Sequence, residues 1–194
     1  MITFIVGTDT DAGKTYYGKL KANENIVIKP IETGKRSFEK IEDSDCGMYS
    51  KLCDRNLEQI NKYFFSYPAS PHFAAEIDNE EIDINALIEF INDSHKKEKN
   101  IFVELAGGLM VPITNKYTQL DLLKEFVDVN IEVVVGNKLG AINHALLTLE
   151  VLYKDNIKVG KVIVNNFGKD SIVIKNNIKT IKEFMKQDCE LVII

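Results

Sequence analysis

Residues 7–15 restrict the possible folds of this chain more than any other segment. They read Gly-Thr-Asp-Thr-Asp-Ala-Gly-Lys-Thr and follow the apolar run 3–6. A glycine-containing loop between a strand and a helix presents backbone N–H groups and a helix N-terminus to an anion. Lys14 can neutralise phosphate charge, and the Thr15 hydroxyl can bind Mg²⁺. Five residues separate Gly7 from Gly13, one more than is usual. We therefore interpret the segment as a variant phosphate-binding loop (P-loop).

Short apolar runs rich in β-branched residues predict strands that are buried on both faces of a parallel sheet. They occupy residues 3–6, 26–28, 101–105, 131–135, 162–164 and 191–194. Apolar residues at helical spacing lie between them. They predict four helices, marked by Ile84, Leu87, Ile88 and Ile91 with Asp83 as N-cap; by Leu120, Leu123 and Val127; by Ile142, Leu146, Leu149 and Tyr153; and by Ile174, Ile178, Ile181 and Met185.

This alternation of strands and helices predicts the fold class. We expect an α/β fold with a P-loop NTPase-like, mostly parallel central sheet and helices on both faces. The length of 194 residues suits a single domain that spans residues 1–194.

The composition narrows the possible partners and location. The net charge of −5 argues against nucleic acid or a membrane surface as a partner, and no apolar stretch is long enough to span a bilayer. The first strand begins almost at residue 1, which leaves no room for a signal peptide, so we expect a cytoplasmic protein. Cys46, Cys53 and Cys189 fit neither a zinc spacing nor a disulfide framework and are expected to be free thiols.

Polar residues follow several of the predicted strands, where open α/β sheets bind their ligands. Lys29 precedes Pro30, which favours an extended backbone there, so its side chain is a candidate second cation for phosphoryl charge. Glu104 lies near the end of the third run, before glycines, and is a candidate Mg²⁺ ligand; Gly107 would let a ligand approach the backbone. Asp45, in the long connection before that run, is either another Mg²⁺ ligand or a solvated loop residue.

Two later strand ends offer further binding groups. Gly140 precedes a predicted helix, whose free N–H groups would bind a carboxylate or a phosphate. Asn165 and Asn166 follow the fifth run, and their amides carry donors and acceptors suited to a base edge.

Five ordered blocks together resemble the dethiobiotin synthetase family, over residues 1 to about 167. They are residues 7–15, 29–34, 70–72 (Ser-Pro-His), 103–108 and 138–148 (Lys-Leu-Gly-Ala-Ile-Asn-His-Ala-Leu-Leu-Thr). The resemblance implies the ATP-dependent carboxylation and ring closure of 7,8-diaminopelargonate with CO₂ to give dethiobiotin, in a cytoplasmic homodimer that needs Mg²⁺. The implied route passes through a carbamate and a carbamic–phosphoric anhydride.

The resemblance also assigns roles to residues at matching positions. It implies that Thr15, Asp45 and Glu104 hold Mg²⁺, and that Lys14, Lys29 and Thr10 are catalytic. The implied nucleotide-binding residues are Asp11, Ala12, Gly13, Lys14, Thr15 and Asn165, of which Asn165 reads adenine. The implied substrate-binding residues are Lys29, Thr33, Gly107, Gly140, Ala141 and Asn143, and the last three act across the dimer interface.

The sequence departs from the family pattern in three places. Leu105 replaces a common glycine, only 13 residues separate Thr15 from Lys29, and the chain ends at Ile194, before the family's usual C-terminal loop and helix. The last departure predicts a more open base pocket and weak discrimination among nucleoside triphosphates.

Three other functions remain as alternatives. One is binding without catalysis, against which the presence of Lys14, Thr15, Lys29, Asp45 and Glu104 argues. A ParA/MinD-like switch ATPase would carry a lysine where this chain has Asp9. A related amidoligase would usually carry a glutaminase domain as well, for which this chain has no room.

Overall fold

A six-stranded parallel sheet runs through the computed structural model, which describes residues 1–194. In spatial order its strands are Glu190–Ile193 (β10), Val159–Asn165 (β9), Asn130–Gly136 (β8), Ile2–Gly7 (β1), Ile101–Gly108 (β5) and Ile26–Ile28 (β2). Every adjacent pair in the sheet is parallel. The six apolar runs of the sequence therefore mark the six strands, and the predicted parallel sheet is confirmed.

Eight α-helices connect or cover these strands. They are Lys14–Ala22 (α1), Asp45–Leu52 (α2), Leu57–Ile60 (α3), Pro71–Asp78 (α4), Ile84–Lys97 (α5), Gln119–Lys124 (α6), Ala141–Lys154 (α7) and Ile172–Phe184 (α8). None of them has the length and apolar character that a bilayer crossing requires.

The central strand β1 shows that both faces of the sheet are covered. Phe4 and Val6 belong to the main core, whereas Ile5 packs in a smaller cluster with Tyr17 of α1. Successive side chains of a strand point to opposite faces. The fully buried run Ile2–Gly7 therefore packs against helices on both sides, as predicted.

Local capping explains where several helices begin. Asp83 accepts hydrogen bonds from the backbone N–H groups of Asn85 (2.8 Å) and Ala86 (3.1 Å), so the predicted N-cap of α5 is confirmed. Gly140 lies at the N-cap of α7 with φ +90° and offers no side-chain cap. The first N–H groups of α7 therefore lack a capping side chain.

Two predicted helix ends were wrong by one turn or less. Helix α6 ends at Lys124, and Val127 is 85 % exposed rather than core-facing. The chain turns at Asp128, which has φ +56°, before β8 begins. Met185 caps α8 with extended backbone instead of continuing it. In both cases the apolar spacing continues past the point where the backbone leaves the helix.

The segments before and after β5 contain short elements that the apolar pattern did not predict. Ile31–Thr33 (β3) and Tyr63–Phe65 (β4) form a second, parallel two-stranded sheet. Pro112–Thr114 (β6) and Tyr117–Thr118 (β7) form an antiparallel hairpin after β5. Two 3₁₀ turns, Lys35–Ser37 and Ile41–Asp43, precede α2. These elements are too short to show a clear periodicity.

Replacement of Ile91 by alanine should destabilise the fold. Ile91 lies on α5 with no exposed surface, so Ile91→Ala leaves a cavity in the main core. We expect the free energy of unfolding to fall by roughly 2–5 kcal/mol. The matched variant Ile172→Ala removes a side chain that is 85 % exposed and should change it by less than about 0.5 kcal/mol. Urea unfolding followed by circular dichroism tests both, and equal losses would contradict this description of the core.

Candidate active site

The loop between β1 and α1 depends on both of its glycines. A Cβ at Gly7 would lie 2.7 Å from Lys14 Nζ, so Gly7 leaves room for the lysine side chain. Gly13 has φ +99°, a conformation that favours glycine, and a Cβ there would overlap the side-chain amide of Asn165. Lys14 and Thr15 begin α1 directly after Gly13. The loop therefore presents a helix N-terminus at the carboxyl end of the central strand.

Lys14 is a buried cation that faces this loop. Its Nζ donates to the carbonyl oxygen of Asp9 at 3.1 Å, and the residue is 7 % exposed. Burial lowers the pKa of Lys14, whereas the carboxylate of Glu104 acts to raise it. A buried ammonium with one neutral acceptor is costly unless an anion approaches, so Lys14 favours phosphate binding.

Thr15, Asp45 and Glu104 meet beside the loop. Thr15 Oγ1 lies 2.8 Å from Asp45 Oδ2 and 3.0 Å from Glu104 Oε1. One hydroxyl proton satisfies only one of these carboxylates at a time. The three side chains thus offer a cluster of oxygen atoms that attracts further positive charge.

Lys29 supplies positive charge to this oxygen cluster. Its Nζ forms ion pairs with Asp45 and with Glu104 Oε1, the latter at 3.0 Å. Burial acts to lower the pKa of Lys29, but the two carboxylates raise it above its usual range. Burial likewise acts to raise the pKa of Asp45, and Lys29 holds it below its usual value. Lys29 is therefore charged, and it pairs with both carboxylates.

The strand end that carries Lys29 is fixed by its own hydrogen bonds. The backbone N–H of Lys29 donates to Ile60 (2.9 Å), and the Asn61 side chain donates to the Lys29 carbonyl oxygen (2.7 Å). Pro30 follows at the bend between β2 and β3. These contacts direct the lysine side chain to the site, as Pro30 led us to predict.

A cavity of about 790 Å³ lies at the carboxyl ends of the strands, where open α/β sheets bind ligands. It is lined from the phosphate-binding loop, from β3 and β5, and from the starts of α2 and α4. The predicted site residues that line it are Thr10, Asp11, Gly13, Lys14, Thr15, Lys29, Thr33, Asp45, Glu104 and Gly107.

Five predicted site residues lie outside this cavity. Ala12 is buried in the small core under the loop. Asn165 is also buried; its Nδ2 donates to the Ala12 carbonyl oxygen at 3.4 Å, and its Oδ1 accepts from the Phe167 N–H at 2.9 Å. Gly140, Ala141 and Asn143 lie at the start of α7 and do not line the cavity.

The structure settles two points that the sequence left open. Asp45 is not a solvated loop residue, because it is the first residue of α2 and forms an ion pair with Lys29. Leu105 is 3 % exposed and packs in the main core, so its side chain does not narrow the cavity that Ala106 and Gly107 line.

Sequence reasoning missed two buried polar residues at the site, Glu32 and Tyr49. Glu32 lies between Lys29 and Thr33 and lines the cavity. Tyr49 donates its hydroxyl proton to Glu104 Oε2. Burial and the nearby Glu104 carboxylate raise the pKa of Tyr49 well above its usual value. The spacing of Tyr49 four residues after Asp45 was the available signal, but it is informative only once α2 is known.

Solved structures share this arrangement of strands and helices. A ParA family ATPase from Chlorobium tepidum aligns with a TM-score of 0.56 at 10% identity, over 98% of this chain and 84% of its own. A putative plasmid partition protein from Borrelia burgdorferi, bound to AMPPNP, aligns with a TM-score of 0.54 at 14% identity, over 100% and 86%. At such identities the likeness concerns the fold alone. The sheet and its first loop thus define a P-loop NTPase-like protein.

Sequence comparison gives the family. A family model described as an AAA domain matches residues 3–192. The ATP-dependent dethiobiotin synthetase of Legionella pneumophila (strain Paris) is 38% identical over 94% of this chain and 88% of its own length. That of Francisella tularensis (strain WY96-3418) is 33% identical over 96% and 86%. The chain belongs to the ATP-dependent dethiobiotin synthetase family, as the five blocks predicted.

Replacement of Gly13 by alanine should disrupt the loop. The new Cβ would overlap the Asn165 amide and would stand on a backbone with φ +99°. We expect Gly13→Ala to weaken ADP binding by about tenfold or more, the equivalent of about 1.4 kcal/mol. Titration calorimetry measures this effect.

Gly168→Ala is the matched control for this change. Gly168 has φ +67° but no neighbouring atom within 4 Å of an added Cβ. It should therefore cost only the left-handed strain, about 1–2 kcal/mol of stability, without a loss of ADP affinity. Equal ADP affinity for Gly13→Ala and wild type would contradict the contact with Asn165.

Proposed function

We propose that this protein is a ligase of biotin biosynthesis that converts 7,8-diaminopelargonate, CO₂ and ATP into dethiobiotin, ADP and phosphate. In this proposal residues 1–194 act as one catalytic domain. One observation carries the proposal: two lysines, two carboxylates and a threonine hydroxyl meet in one cavity beside the phosphate-binding loop. Membership of the dethiobiotin synthetase family supports the substrates.

Mg²⁺ fits the oxygen cluster of Thr15, Asp45 and Glu104. Mg²⁺ prefers oxygen ligands and is usually bound by one or two carboxylates together with substrate phosphates. No group of three or more His, Cys, Asp and Glu side chains occurs that could hold a metal by itself, so the nucleotide would complete the ligand set. The ion would neutralise charge that develops on the transferred phosphoryl group.

The first chemical step is formation of a carbamate. One amine of the diamine attacks CO₂, forms a C–N bond and loses a proton. Lys29 and Thr33 both line the cavity, and their N–H and O–H donors suit the carbamate oxygens. Glu104 and Asp45 hold the pKa of Lys29 above its usual range, so the lysine is charged and stabilises the carbamate electrostatically.

Phosphoryl transfer and ring closure follow. A carbamate oxygen attacks the γ-phosphorus of ATP, which releases ADP and forms a carbamic–phosphoric anhydride. The second amine then attacks the anhydride carbon, loses a proton and expels phosphate. Lys14, Lys29 and Thr10 surround the transferred group and supply mainly position and charge stabilisation. The amines are themselves the nucleophiles, so no covalent enzyme intermediate is needed.

The nucleotide base and the substrate carboxylate would bind at the remaining sites. Asp11, Ala12 and Gly13 form the loop around the phosphates, and Asn165 lies against that loop. We assign the base edge to Asn165, because after its contacts with Ala12 and Phe167 the amide still has one N–H donor and one oxygen lone pair for a base.

We propose a homodimer in which α7 of one copy completes the site of the other. Gly140, Ala141 and Asn143 start that helix, whose first N–H groups suit a carboxylate. The same segment exposes apolar surface: Leu139 is 91 % and Leu147 is 59 % exposed. The proposed location is the cytoplasm, where ATP is available and reducing conditions keep Cys46, Cys53 and Cys189 as free thiols.

Phosphate release with and without the diamine tests the reaction. With MgATP and bicarbonate, we expect release that depends on 7,8-diaminopelargonate and matches dethiobiotin formation by mass spectrometry. Lys14→Met should lower this rate by about 100-fold or more, since it removes a cation at the transferred phosphate. Lys19→Met changes an exposed lysine at the rim of the same cavity and should retain most activity. Chelation of Mg²⁺ should abolish both phosphate release and dethiobiotin formation by the wild type.

Hydrolysis of ATP that is indifferent to the diamine would refute the synthetase and favour a switch ATPase. The loop itself argues against that alternative, because Asp9 stands where ParA/MinD-like proteins carry a lysine.

Mixed dimers test the composite site. Asn143→Ala should be inactive through the substrate site and Lys14→Met through the phosphate site. After random exchange, half of the dimers are mixed and each has one intact site, so we expect about one quarter of wild-type activity. Unmixed variants are the control. No recovery despite proven subunit exchange, or a fully active Asn143→Ala, would refute a substrate site shared between subunits.

A further inference from the structure

Helix α2 contacts both carboxylates of the oxygen cluster. Asp45 and Tyr49 are four residues apart and therefore lie on one face of the helix. Asp45 Oδ2 contacts Thr15 Oγ1 and Lys29 Nζ. One turn later, the Tyr49 hydroxyl donates to Glu104 Oε2 and lies 3.4 Å from the Thr15 carbonyl oxygen. A single helical face thus connects Asp45, on α2, with Glu104, on the central sheet.

The Tyr49 hydroxyl is held in place by its surroundings. Tyr49 has no exposed surface, and it packs directly over Gly18 of α1. A Cβ at position 18 would overlap the tyrosine hydroxyl, so α1 and α2 approach each other only because Gly18 has no side chain. The close packing over Gly18 therefore lets the Tyr49 hydroxyl reach Glu104.

This contact fixes the orientation of the Glu104 carboxylate, so that one oxygen is held by Tyr49 and the other lies beside Thr15 and Lys29. Glu104 is 1 % exposed, and its Oε2 is occupied by Tyr49. Its Oε1 lies 3.0 Å from both Thr15 Oγ1 and Lys29 Nζ. A buried carboxylate held at one oxygen cannot rotate about its last torsion without leaving that oxygen unpaired.

Glu32 fixes the other carboxylate through the backbone. Its Oε1 accepts from the N–H of Asp45 at 2.9 Å, and its Oε2 accepts from the N–H of Cys46 at 2.7 Å. Glu32 lies on β3, three residues after Lys29, and is 3 % exposed. These N–H groups begin α2 and have no partner within the helix. The paired contacts therefore hold the first residue of α2 against the strand end that carries Lys29.

We propose that Tyr49 and Glu32 are positioning residues for the reaction, which hold Glu104 and Asp45 in the arrangement that binds Mg²⁺ with the nucleotide. This inference depends on the proposed function for its metal and its substrate. It goes further in assigning the geometry of the Mg²⁺ ligands to one helix and to two side chains outside the proposed ligand set.

A purely structural role is the competing explanation, and Tyr17 offers a matched control for it. Tyr17 is also a buried tyrosine on a helix, and its hydroxyl donates to a buried carboxylate, Glu132 Oε2, at 2.7 Å. That pair lies outside the cavity. Tyr17→Phe and Tyr49→Phe therefore remove equivalent hydrogen bonds, of which only one belongs to the site.

Manganese binding measures the position of the ligands without catalysis. Mn²⁺ serves as a paramagnetic substitute for Mg²⁺, and electron paramagnetic resonance reports its dissociation constant in the presence of ADP. Loss of a partner that orients a metal ligand typically costs 10–100-fold in affinity or activity. We expect Tyr49→Phe to weaken Mn²⁺ binding by about tenfold or more and to leave metal-free ADP binding unchanged. Tyr17→Phe should bind Mn²⁺ as the wild type does.

Glu32→Gln tests the second contact and serves if Tyr49→Phe does not fold. In the same geometry a glutamine has only one oxygen to accept an N–H, so one of the two hydrogen bonds to the N–H groups of Asp45 and Cys46 should be lost. We expect Mn²⁺ binding to weaken severalfold. Ser44→Ala is the control. The Ser44 hydroxyl accepts from the Gly47 N–H at 3.1 Å and donates to the Ile41 carbonyl oxygen, so it caps the same helix without a hydrogen bond to Asp45. Ser44→Ala should therefore lower stability and leave Mn²⁺ binding close to that of the wild type.

The outcomes separate this inference from the proposed function. The positioning roles would be overturned if Tyr49→Phe and Glu32→Gln both bound Mn²⁺ with wild-type affinity, while their unfolding temperatures fell as much as those of Tyr17→Phe and Ser44→Ala. A wild-type protein that binds ADP but gains no Mn²⁺ affinity from it would instead overturn the assignment of Thr15, Asp45 and Glu104 to the metal.

Discussion

The ion pairs that the buried Lys29 forms with Asp45 and Glu104 are the interaction on which the rest of the site depends. A buried carboxylate without a partner would either take up a proton or lower the stability of the fold. Lys29 holds the pKa of Asp45 below its usual value and forms an ion pair with Glu104, and the oxygen atoms gathered around it make the cluster a site for a hard cation. The segment between Lys29 and Asp45 leaves the central sheet at Pro30 and returns as the first turn of α2. This path brings Asp45 next to Lys29, so that the two side chains form an ion pair.

The phosphate-binding loop and the carboxylate cluster are supported from opposite sides. Asn165, from the end of β9, fills the space under Gly13, while α2 packs over Gly18 one turn further along α1. The start of α1 is therefore held by contacts on two sides. Such support suits phosphoryl transfer, in which the protein contributes mainly fixed positions and fixed charges.

The sequence predicted the central sheet well because its strands are buried on both faces and therefore appear as uninterrupted β-branched runs. It also predicted that Lys14, Thr15 and Lys29 follow strand ends and that Glu104 lies near one, and the sheet brings all four together, although β5 continues past Glu104 to Gly108. Asp45 was ambiguous, because a short polar segment does not reveal whether it forms a loop or the first turn of a helix. Glu32 and Tyr49 were missed since their roles depend on the packing of α2, which has no clear apolar stripe. Val127 was misassigned because spacing alone does not show where a helix ends.

The position of β1 in the centre of the sheet affects the order in which the chain folds. Ile2 pairs with Ile101, and Thr3 pairs with both Phe102 and Asn130, so the first strand needs partners about a hundred residues away. Chains dominated by such distant pairings fold slowly, because a long loop must close before any contact stabilises it. During synthesis, β1 has no neighbour in the sheet until β5 has emerged, and Gly13 is not supported until Asn165 has followed. The phosphate-binding loop, which lies near the start of the chain, is thus among the last parts of the protein to fold.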